Sequence, residues 1–398
     1  MIESHNMIID KSIYIIDAKR SPIAKFGGNF VSLSAPILAS LVIKDIFKKR
    51  AELKSKIDEI IIGNVLSTGL GQNPARITAI NGGLPSNIPS YTVNKVCGSG
   101  LQSIINASQA IESGSASLIL AGGMESMSNA PYYLQNRFGN KKFGDQKLQD
   151  SILTDAIFCS LINQYMGKTA ELLATKYLIS REKQDIYALK SHKKAVEAIK
   201  TNKFKEEITP VIISDEMYDI DEQPRSDTSI EKLSKLHPAF HKKGTVTAGN
   251  SSSLNDGAAM ALIASEETII KYGLKPMARI INYCSVALDP KYMGLGAYYA
   301  IKKLLKKTRM EKTDIDLWEI NEAFAAQILS VLKLLDIDEK NVNVNGGAIA
   351  LGHPIGASGA RIITTLIYEL KRQKLQFGVA SLCIGGGQGI SMLIENIN

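Results

Sequence analysis

The chain has 398 residues, 45% of them hydrophobic and 22% charged, an ordinary globular composition long enough for two or three domain-sized units. Its net charge of +8 lies in lysine-rich segments such as residues 301–307 that read as solvated helix faces, without the aromatic interleaving that a nucleic-acid partner would use. No apolar run reaches the roughly 18 residues of a membrane span, and residues 1–6 carry neither a signal-peptide nor a transit-peptide pattern, so no membrane partner and a cytoplasmic location are expected.

The first apolar run, residues 13–16, reads as a buried strand, followed by a turn at Arg20-Ser21-Pro22 and the pair Gly27-Gly28. Ser34 and Pro36 suit a helix start, and Leu38, Leu41, Val42 and Ile46 make its apolar stripe. A short apolar run at 60–62 and a helix at 75–80 come next. The stretch from Tyr91 to Gly100 then reads as a strand running into Cys97 and a glycine turn. Leu101, Ile104, Ile105 and Ile111 follow at helical spacing, which places Cys97 where a strand hands over to a helix. Strands alternating with helices in this way imply a mainly parallel sheet covered on both faces.

After a strand at 117–123 the texture changes. Residues 124–250 have longer intervals between apolar runs and are broken by Pro131, Pro210 and Pro224, which reads as an inserted loop domain with a helix at 181–200. Regular α/β alternation resumes near Asp256, and a strand at 278–281 opens a second half. That half echoes the first: residues 93–123 and 344–386 both run strand, glycine turn, helix, strand. The expected units are therefore 1–123 with 251–275, the insertion 124–250, and 276–398.

The four cysteines, Cys97, Cys159, Cys284 and Cys383, form no C-x-x-C pair and there are only five histidines, which argues against a metal site or a disulfide framework. At a helix N-terminus the unpaired N–H groups and the dipole favour a thiolate, so Cys97 is expected to have a lowered pKa. A free cysteine is otherwise most often a small buried hydrophobe. Four further segments embed reactive side chains among turn-forming residues: Ala248-Gly249-Asn250-Ser251-Ser252, Asn321-Glu322-Ala323-Phe324-Ala325, the run from Gly346 to Pro354 around His353, and Cys383-Ile384-Gly385-Gly386-Gly387. Glycines there let backbone N–H groups approach a substrate. The Gly346–Gly359 run lacks the P-loop pattern, and Asn321 taken alone could be a helix cap.

Together with Val96-Cys97-Gly98-Ser99-Gly100, Gly122-Gly123-Met124-Glu125-Ser126 and Asn255-Asp256-Gly257, these segments resemble the thiolases over nearly the whole chain. The resemblance implies a layered α/β/α/β/α fold of two similar α/β units plus an inserted loop domain. It implies an acetyl-CoA C-acetyltransferase that condenses two acetyl-CoA through an acetyl-Cys97 intermediate. A 3-ketoacyl-CoA thiolase of broader chain length, or a non-catalytic lipid-binding relative, are the alternatives. By the same resemblance His353 activates Cys97 and Cys383 is the second acid/base. Asn321 holds a water that forms one oxyanion hole with His353, while the N–H groups of Cys97 and Gly385 form the other. Coenzyme A is substrate rather than cofactor, and Ser252, Ala248, Arg225, Phe240, Met166 and Phe324 match positions that contact it. Tyr165 stands where short-chain members carry histidine, and Ser253 where glycine is common. A homo-oligomer is implied, a homotetramer over a dimer.

Overall fold

The computed structural model describes residues 11–134 and 143–397; residues 1–6, read above for targeting patterns, lie outside them. Ten strands make one sheet: β1 (Ile13–Arg20), β2 (Ala24–Lys25), β3 (Glu59–Gly63), β4 (Ser90–Val93), β5 (Leu118–Ser126), β6 (Asn255–Ser265), β7 (Ala278–Ala287), β8 (Leu317–Ile320), β9 (Phe377–Ile384) and β10 (Gln388–Asn396). In space they run β8-β9-β10-β7-β1-β6-β5-β3-β4, with β2 beside β6. The first three residues of β1 pair on one side with Ser265–Ile263 and on the other with Ile280–Ala278, so this strand alone joins the two halves of the sheet.

The helices that matter for the site are α1 (Ala35–Ile46), α2 (Pro74–Asn81), α3 (Ser99–Glu112), α4 (Met166–Tyr177), α5 (Arg181–Lys200), α6 (Gly296–Thr308), α7 (Ala325–Leu335) and α8 (Ile355–Gln373). Their starts follow local chemistry. Asn73 caps α2 by accepting from Arg76 N, with Pro74 in the first turn, and Ser180 caps α5 by accepting from Lys183 N. No described helix is long and apolar enough to cross a membrane.

Helices α3 and α8 lie between the two halves of the sheet and touch strands of both. Leu101, Ile104 and Ile105 of α3 meet Ile362, Ile363 and Leu366 of α8 there, with Ile119 and Ala261 from one half and Leu382 and Ile390 from the other. α1 and α2 cover the outer face of the first half, and α6 and α7 cover that of the second. This is the layered α/β/α/β/α arrangement.

The expectation of a mainly parallel sheet is wrong. Among the described strand pairings of this sheet, only β3–β4, β3–β5 and β8–β9 are parallel, whereas the pairings through β1, β6, β7 and β10 are antiparallel. The cause is burial on both faces. Along β6, Ala259, Ala261 and Ile263 point into the central layer while Met260, Leu262 and Ala264 point to the outer one, so an antiparallel strand carries the continuous apolar run that usually marks a parallel one.

Candidate active site

The turn after β4 presents Cys97 in a constrained backbone. Val96 has φ of +48°, a region that β-branched residues rarely enter. Local bonds hold it: Val96 N donates to Asn94 Oδ1 at 3.0 Å, Ser99 Oγ donates to Val96 O at 2.7 Å, and Lys95 N donates to Ser99 Oγ at 2.8 Å. Cys97 therefore sits one residue before Gly98, the N-cap of α3. It is half-buried and free. Burial pushes its thiol up to about 11, partly offset by the Gly385 and Cys97 backbone N–H groups, while Glu125 adds to the rise. The helix-end thiolate expected from position alone is thus corrected: desolvation outweighs the N–H groups, and the resting side chain is a neutral thiol.

A base is close by and its proton is placed. His353 precedes α8, with its backbone N donating to Asn255 Oδ1 at 2.9 Å. Its Nδ1 lies 2.6 Å from Ser358 Oγ. Because that hydroxyl donates its one hydrogen to Pro354 O at 2.9 Å, it accepts from Nδ1–H, and Nε2 is left bare. Burial, with Arg361 adding to it, holds the imidazole down to about 3. His353 is therefore neutral and basic at Nε2.

Nε2 faces Asn321 Nδ2 at 3.4 Å. Asn321 is no helix cap, since α7 begins four residues later behind Phe324. Instead its N–H donates to Ser381 O at 2.9 Å, and its buried Oδ1 has no protein partner. Cys383, near the end of β9, is 1% exposed. Burial raises its thiol well above the ordinary range, and the nearby Cys97 adds to that.

Cys97, His353, Cys383 and Gly385 line one cavity of about 170 Å³, together with Met166, Phe240, Ser252 and Phe324. An adjoining groove of about 450 Å³ is lined by Arg225 and Ala248, and it shares Phe240 and the run Ser251 to Leu254 with the cavity. The two spaces lie side by side along these shared residues. The rings of Phe240 and Phe324 pack edge to face, 6.1 Å apart, and Gly167 leaves no room for a Cβ beneath Phe240. Arg225 is exposed at the groove, its backbone N donating to His192 Nδ1 at 3.1 Å. Burial holds His192 down to about 4, with Arg225 adding to the shift. Tyr165 also lines the cavity, 5.3 Å edge-on from Phe158. Among the described residues no group of three or more His, Cys, Asp or Glu side chains is placed to hold a metal.

Sequence reasoning missed the residues that support these groups. Ser358 fixes the imidazole tautomer and Asn255 holds the His353 backbone. Glu322, 1% exposed, accepts from Tyr187 Oη at 2.9 Å, Ser191 Oγ at 2.8 Å, Asn343 Nδ2 at 2.8 Å and Ile349 N at 3.2 Å. It thereby ties α5 to the segment ahead of His353. Ser358 was visible as the serine in the first turn after His-Pro; a buried glutamate carries no such signal.

The architecture and the two-thiol cavity define a class, and comparison with known proteins agrees. Residues 13–267 match the family model for the thiolase N-terminal domain and residues 274–396 that for the thiolase C-terminal domain. The chain is 45% identical over 394 residues to an acetyl-CoA acetyltransferase of Allochromatium vinosum, covering 98% of this chain and 100% of that one. It superposes on the crystal structure of the Bacillus anthracis acetyl-CoA acetyltransferase with a TM-score of 0.95 and 42% identity, covering 98% and 100% of the two chains. Human mitochondrial 3-ketoacyl-CoA thiolase in complex with CoA matches with the same TM-score of 0.95 and 42% identity, over 98% and 99%. The chain belongs to the thiolase family. It is an acyltransferase.

Proposed function

We propose that the chain is an acetyl-CoA C-acetyltransferase that reversibly condenses two acetyl-CoA to acetoacetyl-CoA and CoA. The observation that carries this reading is a pair of thiols in one small cavity, Cys97 half-buried and Cys383 fully buried, beside an imidazole with a bare Nε2. Nε2 takes the Cys97 proton and the sulfur attacks the thioester carbonyl. The Cys97 and Gly385 N–H groups face the resulting oxyanion, a kind of contact worth about 3 kcal/mol per donor. CoA departs with a proton from Cys383, leaving acetyl-Cys97, a Cys383 thiolate and an imidazolium. Burial makes that thiolate a strong base, suited to removing the α-proton of the second acetyl-CoA. The enolate, held by His353 and a water on Asn321 Oδ1, attacks acetyl-Cys97. The Cys97 sulfur leaves and recovers its proton from the imidazolium.

CoA in this reading lies along the groove, with its nucleotide end near Arg225 and Ala248. Its pantetheine arm passes Ser252, Phe240, Phe324 and Met166, and the CoA complex of the human relative supports that class of substrate. Met127, Ile157 and Met293 crowd the cavity and favour a short acyl group. The second reading, a 3-ketoacyl-CoA thiolase of broader chain length, draws on Tyr165 and on the equal likeness to the human enzyme. A non-catalytic lipid-binding protein would have no use for a tautomer-fixed imidazole sharing a cavity with two thiols. A cytoplasmic homo-oligomer, tetramer over dimer, completes the proposal. The deciding experiment compares thiolysis of acetoacetyl-CoA with that of 3-ketodecanoyl-CoA. Markedly faster turnover of the longer substrate would overturn the short-chain reading.

A further inference from the structure

The two halves of the sheet present their catalytic turns at matching places. In the second half, Val342 bridges in parallel to Trp318 of β8, and β8 is parallel to β9. In the first, β4, β3 and β5 stand in the same relation. Ile320 is opposite Ser381, and Gly63 is opposite Gly123. One residue past these pairs come Asn321 and Asn64; two past them on the partner strand come Cys383 and Glu125. The residue before the N-cap of the following helix is His353 in one half and Cys97 in the other. Three positions thus recur, and of the six residues only Asn64 and Glu125 have no part in the chemistry proposed above.

Their contacts are specific. Glu125 is fully buried, and its carboxylate accepts from Asn64 Nδ2 at 2.8 Å, Leu66 N at 3.1 Å, Val65 N at 3.2 Å and Gly356 N at 2.9 Å. The last is a first-turn N–H of α8, otherwise unpaired within the helix, where a negative group also meets the positive dipole end. Gly356 has no room for a Cβ, which would meet Glu125 Oε2, Met124 O and the Asn64 backbone. The buried Asn64 Oδ1 lacks a protein partner, as Asn321 Oδ1 does. Cys97 and Asp256 are ionisable groups near enough for their charges to couple to that of Glu125.

We propose that Glu125 is a positioning residue for the transfer reaction, clamping the first turn of the His353-bearing helix to the strand end beside Cys97, with Asn64 orienting its carboxylate. The inference rests on Cys97 and His353 being the reacting pair. Burying a carboxylate without a cation is costly, and the four donors that offset the cost come from both sides of that pair. A second effect follows: the charge beside Cys97 suppresses its thiolate.

The test uses the full chain carrying Glu125→Gln, which keeps the volume but turns a donor toward N–H groups. The readouts are steady-state thiolysis, Tm, and the pH dependence of Cys97 alkylation by iodoacetamide, followed by mass spectrometry. The expected result is a fall in kcat of about tenfold or more with KM within about twofold, and alkylation whose onset moves to lower pH. A folded variant with parental kcat, or with an unmoved alkylation profile, overturns the proposal. Should Glu125→Gln not fold, Asn64→Ala carries the test, removing one donor and leaving the carboxylate; its expected loss is smaller but again in kcat, and an unchanged kcat overturns. Mass spectrometry of the parent with acetyl-CoA separates the two levels. No acetyl-Cys97 in the parent refutes the reaction itself, whereas a parental adduct with an indifferent Glu125→Gln refutes only the clamp.

Discussion

Gly100→Ala would separate Cys97 and His353, the pair proposed to react, without touching either. Gly100 sits in the first turn of α3, and a Cβ there would lie 2.9 Å from both Ala360 N and Gly356 O, backbone atoms of α8, and 3.3 Å from Ala357 O. Ordinary contact begins at 3.4 Å, so the helices must part by about 0.5 Å, and neither partner is a flexible side chain that can swing away. Overpacking of this kind costs about 1–3 kcal/mol. Because Cys97 leads into α3 and His353 into α8, the displacement falls between the proposed nucleophile and base. A 1 Å misplacement can cost about a hundredfold in rate; half of that displacement predicts about a tenfold loss of kcat. The assay is thiolysis of acetoacetyl-CoA at saturating substrate beside thermal unfolding. A variant with lowered Tm but parental kcat would refute the argument, since the helix spacing would then matter to stability and not to chemistry.

The imidazoles give a second prediction. His353 and His192 have pKa values lowered to about 3 and about 4, against about 6.5 unfolded. Their neutral burial therefore supports the fold above pH 6.5 and withdraws that support as pH falls toward these values. Glu125 and Glu319, raised by burial to about 7 and about 8, act with the opposite sign, so the test reads the rings directly by NMR. Two imidazoles should stay neutral from pH 8 to about 5, and their titration near 6.5 would show that the site is wetter than this packing allows. The thiols supply a third. Cys97→Ala should abolish acetyl-enzyme formation, whereas Cys383→Ser should still acetylate Cys97 but lose about a hundredfold or more in condensation. Equal defects in both half-reactions would deny the division of labour.

How much of this was legible in the sequence depended on the kind of signal. Helix α5 was readable to its ends because Ser180 caps a long uninterrupted run, and β1, β3 and β5 announced themselves as short apolar blocks. Strand direction was not readable, because helices on both faces erase the alternation that marks an antiparallel strand. The turn segments around Cys97, His353 and Cys383 stood out through their glycines, and the Asn321 segment through its polar Asn-Glu pair ahead of Ala-Phe-Ala; the fold brings all four segments to one cavity. The protonation state of Cys97 was misjudged because position along a helix is visible in a sequence while the depth of burial above it is not. Glu125 and Asn255 find their partners scores of residues away in the sequence, and nothing local distinguishes them from structural polar residues, whereas Ser358 lies within a turn of His353.

Strand β1 has a consequence for how the chain is made. Residues 13–15 complete the sheet only by pairing with residues 263–265 on one side and 278–280 on the other. During synthesis this first strand emerges long before either neighbour exists, so its apolar edge stays unmatched until more than half of the chain has been translated. Closure of the sheet is therefore a late, long-range event of high contact order, and the newborn N-terminal segment is where a holding chaperone would be needed.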